Sequence, residues 1–147
     1  SSPAFPSSSS SERIEKFNVQ LSPGTVTDWG ETSQGNTRMS ACGDNTNVFA
    51  MGGVSDVTDY SYSDMDKWTV SSGGAATNWG ELTHLVCNST SHTGETYMWT
   101  AGGKGPVGSY SNTMTAAVDR FSNSSSGNAT DVGDMTTVKT FHYGTEV

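Results

Sequence analysis

Basic residues are scarce in this chain of 147 residues, which has seven Lys plus Arg against fifteen Asp plus Glu and a net charge of −8. Proteins that bind DNA or RNA need a clustered basic face, because their affinity comes largely from the release of phosphate counterions. Seven scattered cations on an acidic chain do not supply such a face. The sequence therefore predicts no nucleic-acid partner.

Long apolar runs are also missing. The longest uncharged stretches are rich in Ser, Gly and Thr, and no run of 18 or more apolar residues occurs, so no membrane span is predicted. Hydrophobic residues nevertheless spread from Phe5 to Val147 and include four Trp, five Tyr and five Phe. Acidic disordered chains usually have few aromatic residues, so most of the chain is predicted to fold.

Cysteine is nearly absent, and the two cysteines, Cys42 and Cys87, form no metal-binding or redox motif. They could form one disulfide, but buried free thiols are the favoured interpretation. The chain begins at Ser1 without a charged segment followed by an apolar segment, the pattern of a secretory signal. We therefore expect a processed chain or a piece of a longer polypeptide.

Two sequence markers recur with a period near fifty residues. The block TDWGE at residues 27–31 returns as TNWGE at 77–81 and as TDVGD at 130–134, with offsets of 50 and 53. The pair Gly52-Gly53 returns 50 residues later as Gly102-Gly103, and each pair follows an apolar run. Two markers that share one period indicate a repeat protein.

Within each unit the pattern predicts strands. A run with β-branched and aromatic residues precedes each block, and no stretch has helical periodicity uninterrupted by Gly or Pro. Turn residues punctuate the chain, as at 22–24, 72–74 and 124–127. About four short strands per fifty residues match the size of a propeller blade, and a kelch blade has a Gly pair after an inner strand. The predicted fold class is all-β, with kelch-like β-propeller blades.

The repeat also predicts the domain organisation. Residues 1–11, with two Pro and seven Ser, are predicted to form a flexible or extended arm, and residues 12–147 the repeat domain. Units are placed near 27–76 and 77–129, with part-units at both ends. Two units and one composite unit give three blades, below the four to eight of propellers. Either a second chain completes the ring or the chain is a segment of a longer one, so we expect no closed monomer and exposed faces around Phe17 and Phe141.

The block at residues 127–136, GNATDVGDMT, resembles the recurrent linker of kelch-like repeat structural proteins of tailed phages infecting marine bacteria. Residues 40–42 (SAC) followed by 48–53 (VFAMGG) fit the strand with Cys and the apolar run with Gly-Gly of that group. Residues 14–17 (IEKF) resemble its Ile-Glu-Tyr strand. The resemblance implies a non-enzymatic virion protein, a tail fibre, tail-associated or capsid-surface component. Its implied partners are other copies of itself or other virion proteins.

The chain departs from that group at several positions. Trp29 and Trp79 stand where the group usually has Phe, and Cys87 lies five residues further from its Gly pair than Cys42 does. The alternative function is a carbohydrate- or receptor-binding propeller of a secreted or cell-surface protein, with a cell-surface glycan as the partner.

Acidic and histidine residues suggest metal sites only weakly. Asp28 and Asp131 share a repeat position with Asn78, and no calcium loop surrounds them, so an Asx side chain that caps its own turn is the favoured interpretation. Three histidines occupy non-equivalent positions with no ligand at metal-binding spacing: His84, His92 and His142. They are interpreted as surface or turn residues, and no metal is predicted.

The remaining candidates are aromatic and glycosylation sites. Trp29, Trp79 and Trp99 could stack on sugars, but two of them share one repeat position, which favours packing between blades. No nucleophile elbow or phosphate-binding loop occurs, so no catalytic or cofactor-binding residue is predicted. Three sequons would matter only in a eukaryotic host: Asn88, Asn123 and Asn128.

Overall fold

The structure is a computed structural model that describes residues 12–17, 26–55, 60–105 and 113–140. Its regular structure is entirely β, which confirms the predicted all-β class. The described residues contain no helix that is long and apolar enough to cross a membrane. The strands are β1 (Arg13–Lys16), β2 (Thr27–Glu31), β3 (Asn36–Thr37), β4 (Ser40–Gly43), β5 (Asn47–Met51), β6 (Val54–Ser55), β7 (Asp64–Thr69), β8 (Gly74–Ala75), β9 (Thr77–Glu81), β10 (Thr90–Thr93), β11 (Tyr97–Ala101), β12 (Lys104–Gly105), β13 (Thr113–Met114), β14 (Ala117–Ser122) and β15 (Thr130–Asp134).

Two four-stranded antiparallel sheets carry the repeat. Sheet 1 has the order β4-β5-β7-β9, and sheet 2 has the order β10-β11-β14-β15. Their strands correspond one to one, with starting residues 50 apart for the first two strands and 53 apart for the last two. The period of the sequence markers is therefore the period of the strands. The described sheets do not close into a ring.

The first described strands belong to an earlier, incomplete unit. Strands β1 and β2 pair antiparallel, as β7 and β9 do in sheet 1, and β8 joins them in parallel through Gly30 and Gly74. We call this element the N-terminal strand pair. The predicted arm at 1–11, the turn at 22–24 and the faces around Phe141 lie outside the described residues.

The repeated block differs from its predicted role as a turn, because it forms the last strand of each unit. In β9, Met65 pairs with Gly80 and Asp66 pairs with Asn78, so Trp79 is an extra residue between them. The same bulge occurs at Trp29 in β2 and at Val132 in β15. A bulge bends the strand and changes the direction of a side chain, which lets the block remain a strand while its central residue is displaced from the ladder.

Only part of the predicted Asx capping is present. Gly133 N donates to Asp131 Oδ1 at 2.9 Å, two residues on, as the turn interpretation required. Asp28 instead lies 3.4 Å from the Arg13 guanidinium on the neighbouring strand. Ladder pairing of the backbone outweighs the local turn, because each strand bonds to the strand beside it.

The Gly pairs occupy backbone conformations that other residues rarely adopt. Gly52 and Gly53 have φ of +62° and +105°, and the second pair repeats these values within 5°. A Cβ on Gly53 would lie 2.7 Å from Met39 Cγ. The backbone N–H of Gly53 donates to Val86 O at 2.8 Å. Glycine is therefore favoured at Gly53 for two reasons, its positive φ and the lack of room for a Cβ.

The core lies between the two sheets. Its buried cluster is Phe49, Met51, Met65, Trp79, Leu82, Val86, Met98 and Phe121. Neither cysteine forms a disulfide, so the favoured free-thiol interpretation is correct. Burial raises the pKa of the half-buried Cys42 thiol to about 12.

Candidate functional site

The boundary between sheet 1 and sheet 2 is built on three aromatic rings. Phe49 of sheet 1 packs edge-on against Trp79 at 5.8 Å and against Phe121 of sheet 2 at 5.5 Å between ring centroids. Trp79 Nε1 donates to Ser122 O at 2.8 Å, and Lys67 Nζ lies 4.0 Å above the indole. Such edge-to-face pairs add to the free energy of apolar burial. The bulge in β9 thus places Trp79 across the boundary.

A buried carboxylate also crosses this boundary. Asp119 of β14 is 0% exposed, and it accepts from Thr83 N at 2.8 Å and from Thr83 Oγ1 at 2.6 Å. One unit earlier, Asp66 of β7 accepts from Ser33 N at 2.8 Å and from Ser33 Oγ at 2.9 Å. A buried charge is costly unless donors satisfy it. Each sheet therefore anchors the turn that ends the preceding unit.

Hydroxyl groups join the first strands of the two sheets. Ser40 Oγ lies 2.9 Å from Ser89 Oγ, and Thr93 Oγ1 donates to Gly43 O at 2.9 Å. Strands β4 and β10 thus lie side by side through side-chain hydrogen bonds. This contact uses several of the Ser and Thr residues that dominate the composition.

Within the described part of the chain, no other sheet packs on the outer face of sheet 2, which we call the open face and define by Tyr97, Trp99, Arg120 and Val132. Tyr97 is 38% exposed and Val132 is 41% exposed. The Tyr97 and Trp99 rings lie 6.4 Å apart, and the Arg120 guanidinium sits 4.3 Å over Tyr97. Exposed apolar clusters with a bordering polar group are typical of interaction sites.

The open face matches a covered face in sheet 1. Trp99 stands at the repeat position of Phe49, Arg120 at that of Lys67, and Val132 at that of Trp79. In sheet 1, Phe49 and Trp79 are buried in the core cluster together with Phe121 of sheet 2.

The three candidate tryptophans are not brought together. Trp79 lies at the boundary, and Trp99 lies on the open face. Trp29 is half-buried against Gly73, and its buried Nε1 has no hydrogen-bond partner among the described residues. A single sugar site built from all three is therefore excluded by their positions.

The histidines do not form a metal site in the part of the chain that the structure describes. His84 Nδ1 lies 3.0 Å from Thr83 Oγ1 and 3.5 Å from Asp119 Oδ2, and His92 lies on β10. His142 is outside the described residues. Within those residues, no group of three or more His, Cys, Asp and Glu could hold a metal ion.

A small cavity lies beside the turn that follows β7. Its volume is about 150 Å³, below the roughly 300–1,000 Å³ of typical small-molecule sites. Its lining residues are Lys67, Trp68, Thr69, Ser72, Gly73, Ala75 and Thr77.

The three sequon asparagines take part in local structure. Asn88 is half-buried with φ of +54°. Asn123 Nδ2 donates to Glu95 O at 3.0 Å, and Asn128 Oδ1 accepts from Glu81 N at 3.2 Å. The two side-chain amides that make these bonds help to hold turns and neighbouring strands.

Sequence reasoning missed the buried aspartates and the open-face Tyr97 and Arg120. A signal for them exists in the three runs IEKF at 14–17, MDKW at 65–68 and VDRF at 118–121. Each run has an apolar, an acidic, a basic and an aromatic residue in that order. When these runs are aligned, Asp66 and Asp119 share one repeat position, and Lys67 and Arg120 share the next.

The chain matches no protein-family model, and no curated protein matches it. Its fold is similar to that of a solved structure described as a novel fungal alcohol oxidase with catalytic diversity among the AA5 family, in complex with copper. The TM-score is 0.65 at 16% sequence identity, over 86% of this chain. The chain spans 28% of that oxidase. At this identity the likeness shows the fold alone.

Proposed function

We propose that this chain is a non-enzymatic virion structural protein, a tail-fibre, tail-associated or capsid-surface component built from kelch-like blades. The observation that carries the proposal is the repeated boundary, in which Asp66 and Asp119 hold the preceding turns and Trp79 packs across the next sheet. Buried polar and aromatic residues join neighbouring units, and such contacts are expected in a rigid scaffold. The virion location rests on the linker-like block at 127–136.

The blade assignment is part of the same proposal. Support comes from the strand order of the two sheets and from the Gly pairs that follow β5 and β11. An electron-microscopy reconstruction of the intact assembly would test it, since blades would radiate from a common axis. A stack of sheets without such an axis would overturn the assignment.

The virion role is tested on purified particles. Antibody raised against the recombinant chain is applied to phage particles from marine bacteria that carry this reading frame. We expect gold label on tails or capsids, together with peptides of the chain in gradient-purified particles. An unrelated antibody of the same species is the control. Recovery of the chain only from host cells or the medium would contradict the proposal.

A second candidate function is carbohydrate binding at the open face. Tyr97 is exposed and Trp99 is half-buried beside it, with the Arg120 guanidinium over the Tyr97 ring. Aromatic faces with an adjacent hydrogen-bond donor suit sugar rings. A glycan array with the wild-type chain and Trp99→Ala tests this function, with Val70→Ser as the control for an exposed apolar residue elsewhere. Binding that is unchanged in Trp99→Ala would exclude this face.

A further inference from the structure

The open face of sheet 2 has a counterpart at the N-terminal strand pair. Phe17 follows β1 at the repeat position of Phe121, and it is 65% exposed. Phe121 is the ring that sheet 2 packs against Phe49. The equivalent of Phe49 in sheet 2 is Trp99, on the open face. The N-terminal strand pair and the open face therefore carry residues equivalent to the two sides of the contact between sheet 1 and sheet 2.

The polar groups are divided between the two ends in the same way. Glu15 stands at the repeat position of Asp119, and Thr136 stands at that of Thr83. Both Glu15 and Thr136 are exposed. At the internal boundary the matching pair makes two hydrogen bonds. Glu has one methylene more than Asp, so its carboxylate reaches further but accepts from the same kinds of donor.

We propose that copies of this chain bind head to tail, with the N-terminal strand pair of one copy packed on the open face of the next. Phe17 then packs on Trp99, and Glu15 accepts from Thr136. The partner is a second copy because the surface that fits the open face is the repeat equivalent of the surface that covers sheet 1. We call the N-terminal strand pair the head and the open face the tail. The contact is heterologous, so a linear oligomer of any length keeps one free head and one free tail, and a further copy can add at either end.

This inference names the partner for the assembly role proposed above. It is tested on the purified full chain without any virion, so the two proposals fail separately. Sedimentation velocity is recorded from about 1 μM to about 100 μM, a range that covers moderate protein–protein affinities. We expect the average mass to rise with concentration.

Paired variants separate head-to-tail binding from symmetric association. Phe17→Ser blocks the head, and Trp99→Ala blocks the tail. Val132→Glu is a second tail variant at an exposed position, in case the first does not fold. Each variant alone is expected to self-associate at least about tenfold more weakly, as loss of a central aromatic contact usually causes. A mixture of one head and one tail variant retains one intact interface, so it is expected to form a 1:1 dimer.

Val70→Ser is the matched control, since Val70 is an exposed apolar residue on the turn after β7. It is expected to associate like the wild type. A photo-crosslinker in place of Phe17 is expected to label the peptide that contains Trp99 in an isotope-labelled partner copy. A monomeric wild type across the whole range, a mixture that stays monomeric, or a wild-type monomer that binds an oligosaccharide through Trp99 would each overturn the proposal.

Discussion

Asp119 lies in sheet 2 and Thr83 lies in the turn that follows sheet 1, and the Asp119 carboxylate accepts both the backbone N–H and the hydroxyl of Thr83, at 2.8 and 2.6 Å. Asp119 is fully buried, so these donors replace the water that a carboxylate would otherwise bind. Asp66 accepts from the N–H and hydroxyl of Ser33 through Oδ2 alone, and its buried Oδ1 has no hydrogen-bond partner among the described residues. The connection between units is therefore made by directional hydrogen bonds as well as by apolar packing.

Replacement of Asp119 by Ala is expected to destabilise the fold. The Thr83 N–H and hydroxyl would lose their acceptor at a part-buried contact, which is expected to lower the free energy of unfolding by about 1–3 kcal/mol. Urea denaturation followed by circular dichroism measures the change. Asp134→Ala is the control, because Asp134 is exposed on β15 and its loss is expected to cost under about 0.5 kcal/mol. Equal losses in the two variants would contradict the role assigned to Asp119.

Phe substitutions at Trp79 and Trp29 are expected to have different effects. Trp79→Phe removes the bond from Nε1 to Ser122 O and is expected to cost about 1 kcal/mol or more. Trp29→Phe removes a buried Nε1 that has no partner in the described part of the chain, so it is expected to be neutral or stabilising. Thermal melting of both variants checks this, and a larger loss in Trp29→Phe would refute the reasoning.

Alanine at Gly53 is expected to be more harmful than alanine at Gly74. Both glycines have positive φ, +105° and +91°, so both variants have backbone strain of about 1–2 kcal/mol. A Cβ at Gly74 meets nothing within 4 Å, whereas at Gly53 it meets Met39 Cγ at 2.7 Å. Overpacking adds about 1–3 kcal/mol at Gly53. Denaturant midpoints compare the two variants, and equal midpoints would show that crowding is unimportant.

The thiol of Cys42 is expected to make stability depend on alkaline pH. Desolvation by burial is the main reason that its pKa rises from 9.0 to about 12, with Asp44 adding to the rise and a Ser91 hydrogen bond opposing it. As pH rises, the thiol of the unfolded chain ionises before that of the folded chain. The contribution of Cys42 to the free energy of unfolding is therefore fully present below about pH 9, and it is lost as pH approaches the pKa of the folded state.

Cys42→Ala isolates this effect from the Tyr and Lys residues that titrate in the same range. We expect the wild type to lose more of its melting temperature than Cys42→Ala between about pH 8 and pH 11. Parallel curves for the two proteins would contradict the expectation. Neither thiol is in a disulfide, so a reductant is expected to leave both curves unchanged.

The sequence by itself determined the all-β class, the period of about fifty residues and the strand content of each unit. These follow from local properties: the β-branched and aromatic bias of runs such as residues 65–70, the turn residues between them, and the Gly pairs whose φ is positive. The free-thiol interpretation of Cys42 and Cys87 is correct for the same kind of reason, since no motif pairs them.

Tertiary structure decided what each repeated residue does. The block at 77–81 has turn-forming residues, yet pairing with β7 makes it a strand and displaces Trp79 across the boundary. Trp79 and Val132 occupy the same repeat position, so the sequence could not predict that one is buried and the other exposed. Burial depends on whether another sheet packs on the residue. The same holds for Phe49 and Trp99: one repeat position is a core residue in sheet 1 and part of the open face in sheet 2. Local sequence specifies the strands, whereas neighbouring sheets determine which faces become buried.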